Sequence, residues 1–152
     1  MPLISPSDQQ RLREAFADMT RAVRLVFFTQ TLDCETCGQT RQILDELPPL
    51  SDKITIDEVN LILEGDKARA YGVDRAPAVA ITYQEPSAGS PADDWKDSRI
   101  RFLGAPAGYE FISLVQGVLL AGGRGLQLSE ASRKRLAAVD RPVTMQVFTT
   151  PT

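Results

Sequence analysis

Histidine is absent from this 152-residue chain, and cysteine occurs only twice. The first absence removes the imidazole general base and the commonest metal ligand, and with them any cysteine–histidine nucleophile. Two cysteines do not complete a four-ligand structural zinc site without help from a second subunit. Basic excess is missing too: 17 Lys and Arg stand against 20 Asp and Glu, for a net charge of −3. Nothing in that balance points to nucleic acid or to an anionic membrane as partner. No apolar run approaches the roughly 20 residues of a transmembrane helix. Met1-Pro2-Leu3-Ile4-Ser5 lacks the basic region and apolar core of a signal peptide, so a cytoplasmic location is the default. What remains is an ordinary globular balance, 43% hydrophobic and 24% charged. By length it makes one domain with an appendage. No cofactor and no metal is implied.

The two cysteines carry the chemistry. Val26-Phe27-Phe28-Thr29 reads as the end of an apolar strand, and a polar turn then delivers Cys34 and Cys37 to the start of a helix. Positions i and i+3 of a first helical turn share a face, with Cβ atoms about 5–6 Å apart, so a small adjustment allows a disulfide. A ring this short restricts the unfolded chain little and is a poor staple. Such a bond suits opening and closing, and in a reducing compartment a lone Cys-x-x-Cys is more often catalytic than structural. A thiolate at a helix start is stabilised by free N–H groups and the macrodipole. Cys34, nearer the loop, is expected to be the exposed nucleophile, and Cys37 the resolving thiol. Asp33 and Glu35 oppose the depression of the Cys34 pKa.

The rest of the chain alternates helix and strand signals. Ser7 is read as the cap of a helix from Asp8 to about Arg21, with Leu12, Phe16 and Met19 on one face. Val23 to Phe28 has the composition of a central strand. The helix after the cysteines runs through Thr40, Ile43, Leu44 and Leu47, and Pro48-Pro49 stops it. Ile54 to Leu61 is a β-branched strand containing Asp57 and Glu58. These are either solvent-facing carboxylates, or one of them is a partly buried proton acceptor near Cys37; the sequence leaves both readings open. Glu64 to Tyr71 is a short helix closed by Gly72. Pro77 sits at a strand start, where no ladder N–H is demanded. Residues 83–98 form the polar loop of a hairpin, within which Trp95 folds back on the surface or meets a partner, and Ile100, Phe102 and Leu103 continue as a strand. Gly104 to Gly108 is a turn, and Tyr109 to Ala121 a well-buried helix ended by Gly122-Gly123. Ser129 caps a last helix with Leu136 and Val139 on its inner face, and Val143 to Phe148 alternates like a strand.

Helix, strand, Cys-x-x-Cys helix, strand, short helix, Ala76-Pro77 strand, hairpin strand, helix is the thioredoxin arrangement. The chain resembles the N-terminal half of the tandem glutaredoxin-like protein disulfide oxidoreductases. The resemblance rests on Cys34-Glu35-Thr36-Cys37, Arg75-Ala76-Pro77-Ala78-Val79, Gly104-Ala105-Pro106-Ala107-Gly108, and Pro142-Val143 through Thr152. It implies an α/β thioredoxin-like fold: a four-stranded mixed central sheet flanked by helices, with an extra N-terminal helix and a C-terminal helix–strand extension. Residues 1–123 form the domain. Residues 124–152 form a linker helix and the first strand of a missing or truncated second thioredoxin unit. The resemblance further implies Cys34 as nucleophile, Cys37 as resolving cysteine and Pro77 as a cis-proline, whose preceding residue, Ala76, pairs its backbone with an extended substrate. Glu35-Thr36 departs from the aromatic or proline residues common between the family's cysteines.

Three functions stay open. One is a dithiol–disulfide oxidoreductase acting on protein disulfides, with electrons from a thioredoxin-reductase-like flavoprotein. Another is a docking or electron-relay module resembling the N-terminal thioredoxin-like part of the flavoprotein subunit of alkyl hydroperoxide reductase. The third is a glutathione-dependent glutaredoxin. The strand at 143–148 has three outcomes: disorder, addition to an edge of its own domain, or pairing with a second copy in a symmetric homodimer.

Overall fold

The computed structural model describes residues 2–86 and 91–150. Eight elements build a mixed sheet covered by helices: α1 (Pro6–Ala17), β1 (Ala22–Thr29), α2 (Cys37–Asp45), β2 (Ile54–Asn60), α3 (Gly65–Ala70), β3 (Ala78–Gln84), β4 (Lys96–Leu103) and α4 (Tyr109–Ala121). A ninth, α5 (Glu130–Ala137), follows. Among the described residues the sheet has four strands in the order β2-β1-β3-β4. β1 runs parallel to β2 and antiparallel to β3, and β3 is antiparallel to β4. This is the thioredoxin-like α/β fold that the resemblance implied.

β1 is central because its sequence is apolar on both faces. Val23, Leu25 and Phe27 point to one side, where they meet Leu44 and Leu47 from the α2 side and Leu114 and Val118 from α4. Val26 and Phe28 point to the other, against Ala68, Val73 and the half-buried Tyr71. Phe27 and Phe28 are 1% and 0% exposed, and truncating either to alanine removes about 3–5 kcal/mol. α1 starts earlier than the Ser7 cap implied: Ser5 accepts the Asp8 N–H, and Pro6 takes the first helical position, where its missing N–H costs nothing. At the far end of α4, the Gly122 carbonyl accepts from the N–H groups of Thr20 and Arg21 at 2.8 and 3.0 Å. Gly123 follows at φ 101°, with Thr20 Oγ1 2.2 Å from where a β-carbon would sit, so only glycine lets the two segments meet there.

The hairpin between β3 and β4 is present, although the middle of its loop, 87–90, lies outside the described residues. Trp95 folds back half-buried, with the Arg24 guanidinium 4.1 Å from its ring centroid. No helix among the described residues is long and apolar enough to cross a membrane.

Two expectations for the C-terminal part are corrected. Helix α5 forms and is capped by Ser129, but it has no inner face: Leu136 and Val139 are 59% and 50% exposed. Residues 143–148 form no strand, because among the described residues no strand lies against them to complete a ladder.

On β4, Arg101 closes the structure over the second core. Its Nη1 and Nη2 bind the Asp97 carboxylate at 2.8 and 2.6 Å, its Nε donates to the Tyr71 carbonyl at 3.1 Å, and its guanidinium covers the Tyr71 ring. The hydrogen bond from Arg101 holds the Asp97 carboxyl below the ordinary aspartate range. A carboxyl depressed on folding contributes stability that is complete above the unfolded pKa and is lost as pH falls through the folded one. Arg101→Ala is expected to lower stability by about 1–2 kcal/mol at neutral pH. Denaturant titrations of Asp97→Asn and wild type should differ at pH 7 and converge as pH drops below about 4; a gap independent of pH would contradict the pairing.

Candidate active site

The register of the sheet assembles the site. β1 ends at Thr29 and feeds the cysteine loop, while β3 begins at Ala78 directly after Pro77, and Phe28 lies opposite Ala78 in the antiparallel ladder. The loop after β1 and the segment before β3 therefore emerge at the same end of the sheet. The Ala76–Pro77 bond is cis, Pro77 is buried and Ala76 half-buried. The Pro77 carbonyl accepts from Gly104 N–H at 2.9 Å, which brings the turn after β4 to the same end.

Cys34 and Cys37 are joined by a disulfide, with Cα atoms 5.4 Å apart, inside the usual range. Cys34 is half-exposed and Cys37 is 7% exposed. One local expectation is corrected. The first helical residue is Cys37, not Cys34, because Thr36 at φ −101° and ψ 2° is not yet helical. Cys34 lies in the turn before the helix, so exposure rather than helix position distinguishes it. Thr40 N–H and hydroxyl both donate to the Thr36 carbonyl at 2.9 Å, fixing the first turn of α2 and satisfying a fully buried hydroxyl.

The loop carrying Cys34 is held by Gln30, whose side-chain amide donates to the carbonyls of Leu32 at 2.8 Å and Asp33 at 3.4 Å. Asp33 adopts φ 56°, a left-handed conformation that aspartate tolerates better than most residues. Neither role was read from the sequence. Gln30 carries no motif, and only the short polar loop after a strand hinted that a side chain must tie it down.

Asp57 and Glu58 lie on opposite faces of β2. Asp57 shares the face of Val59 and pairs with Lys67 of α3 at 2.7 Å. Glu58 shares the face on which α2 packs, and Arg41, one turn beyond Cys37, pairs with it and with Asp45. Of the two, Glu58 is the carboxylate beside the cysteine helix. Next to Pro77, Arg75 hydrogen-bonds Asp74 at 2.8 Å and holds its carboxyl below the ordinary range.

A buried apolar strand, a Cys-x-x-Cys disulfide at its end and a cis-proline at the start of the neighbouring antiparallel strand define a thioredoxin-like redox domain. Comparison with known proteins bears on which one. No protein-family model matches the sequence, and no curated protein matches it. Among solved structures, the chain is similar to the NTD_N/C domain of alkylhydroperoxide reductase AhpF from Enterococcus faecalis, at 29% identity and a TM-score of 0.76, covering 91% of this chain and 62% of that one. It is also similar to a protein disulfide oxidoreductase from Aeropyrum pernix, at 23% identity and a TM-score of 0.69, covering 88% of this chain and 54% of that one. A thioredoxin from Halobacterium salinarum shares the fold at 13% identity and a TM-score of 0.53, covering 80% of this chain and 89% of that one. The chain thus spans about three fifths of the first and about half of the second.

The unequal exposure of the two sulfurs gives a direct test. After reduction, mass-resolved alkylation with iodoacetamide is expected to label Cys34 at least roughly tenfold faster than Cys37 at neutral pH, because only a thiolate that the reagent reaches reacts. Faster labelling of Cys37 would reverse the two roles.

Proposed function

We propose that the chain is a thiol–disulfide oxidoreductase that exchanges its Cys34–Cys37 pair with protein disulfides. The observation that carries this reading is the disulfide at the end of β1, at the same end of the sheet as the cis Ala76–Pro77 bond. In the reducing direction the Cys34 thiolate attacks a substrate sulfur. The substrate S–S bond breaks, and its other sulfur leaves as a thiolate and takes a proton. The Cys37 thiolate then attacks Cys34 Sγ, which reforms the internal disulfide and releases the second substrate thiol. The chain loses two electrons and the substrate gains two. Ala76 offers its backbone to an extended substrate beside Pro77. Glu58 accepts the Cys37 proton on the α2 face, with Arg41 setting its position.

The similarity to AhpF favours a second reading, an electron-relay module whose disulfide is reduced by a flavoprotein reductase and which passes the electrons onward. Both readings use the same exchange and differ in which partner reacts faster. Cys37→Ser should trap Cys34 in mixed disulfides with protein substrates, since the resolving thiol is gone. Stopped-flow reduction of the wild-type disulfide by a thioredoxin-reductase-like flavoprotein should be compared with oxidation of the dithiol by protein disulfides. Failure of Cys37→Ser to trap any protein, together with fast flavoprotein reduction, would favour the relay.

Residues 143–148 are proposed to pair with the same residues of a second copy. Val143, Met145 and Val147 alternate and are 68%, 89% and 86% exposed in the single chain, and an isologous ladder would satisfy their backbone and bury one face. Light scattering should give a dimer that is lost when residues after Asp140 are removed. A monomer in both cases eliminates the pairing.

A further inference from the structure

We propose that the cysteine end of the sheet is a docking strip for an extended segment that presents apolar side chains and a Lys or Arg beside its disulfide. The proposal rests on the oxidoreductase reading and names the class of substrate that the site selects.

The strip follows the order of the strands. On the β2 side, the Asn60 side chain accepts from the N–H groups of Ile62 and Leu63, each at 3.0 Å. The loop is thereby fixed with Ile62 72% and Leu63 83% exposed. At β1 stands Leu32, 76% exposed, in the loop that Gln30 ties down. Cys34 follows, then Ala76-Pro77 at the head of β3. Large apolar side chains held in the open on anchored loops mark a contact surface, because a single chain gains nothing by exposing them together.

Charge identifies what the surface contacts. Asp33 and Glu35 flank Cys34, both are exposed, and neither forms an ion pair among the described residues. The cations on the surrounding elements are already engaged: Arg41 by Glu58 and Asp45, Lys67 by Asp57, Arg75 by Asp74 and Arg101 by Asp97. Arg69 is held by Asp66. Two carboxylates therefore remain uncompensated beside the attacking sulfur. An incoming cation neutralises them and also stabilises the Cys34 thiolate, whereas an incoming carboxylate makes a cluster of like charges around the reaction.

The test uses the reduced full chain and three oxidants: a neutral dipyridyl disulfide, and two peptide disulfides that are identical except for Lys–Lys or Glu–Glu beside the cysteine. The dipyridyl rate reports the intrinsic reactivity of Cys34, which any change at Asp33 or Glu35 also alters, and each peptide rate is divided by it. At low ionic strength the basic peptide is expected to react roughly five- to twentyfold faster than the acidic one. That preference should shrink towards parity near about 0.5 M salt. The Asp33→Asn, Glu35→Gln double variant should bring the ratio to about one. Ile62→Ser with Leu63→Ser should slow both peptides several-fold relative to the dipyridyl disulfide. A wild-type ratio near one, or a preference that survives the double variant, overturns the docking strip and leaves the oxidoreductase reading standing. Reaction with the dipyridyl disulfide but with neither peptide overturns both.

Discussion

The antiparallel register of β1 on β3 is the constraint on which the site depends. Because Phe28 lies opposite Ala78, the residues that follow one strand and those that precede the other must meet at the same end of the sheet. A shift of one residue would turn every side chain of β1 to the opposite face. Val23, Leu25 and Phe27 would then leave the core that α2 and α4 cover, and Val26 and Phe28 the one that α3 covers. The register is thus enforced by burial on both faces, and it brings the cysteine loop and the Ala76-Pro77 segment to the same end of the sheet.

Support for the site continues outward through aromatic packing. Phe28, the last buried residue before the cysteine loop, meets the edge of the Tyr71 ring at 5.7 Å between centroids. Arg101 covers that ring and binds the Tyr71 carbonyl, while Asp97 fixes the guanidinium. An exposed edge strand, the end of a short helix and the central strand are joined in this way. The helix itself is only six residues long and would not persist alone in water. On the opposite face Leu44 and Leu47, 1% and 0% exposed, anchor the α2 segment, so the cysteine turn is held from both sides of the sheet.

Much of this was legible in the residues. The span Tyr109–Ala121 could be read because apolar residues cover most of the helix and glycines end it. The strand at 23–28 could be read from an apolar run broken only by Arg24. The cis Ala76–Pro77 bond was legible only through family resemblance, since nothing local to a proline at a strand start requires that isomer. The failures at the C-terminal end have one cause: periodicity reports what a segment could bury, and not whether anything lies against it. Leu136 and Val139 have helical spacing but stay half or more exposed, and Val143 to Phe148 has strand alternation but no ladder among the described residues. Asp57 and Glu58 looked equivalent as adjacent letters. A period of two put them on opposite faces, and only the position of α2 distinguished them. The tie from Gln30 and the left-handed backbone of Asp33 were missed because backbone carbonyls and dihedrals are invisible to composition.

Redox change at Cys34–Cys37 is separable from folding for the same reasons. The bridge closes a ring of only a few residues, so breaking it releases little conformational entropy in the unfolded chain. Nothing else in the described fold hangs on it. β1 keeps its ladders to β2 and β3, α2 keeps Ile43 and Leu44 in the core, and Gln30 and Thr40 hold the loop and the helix start through bonds that involve neither sulfur. A staple that stabilised the domain would make reduction costly and exchange slow. Here the rigidity comes from the apolar strand beneath the cysteines, which leaves the sulfur–sulfur bond free to be made and broken on a surface that stays in place.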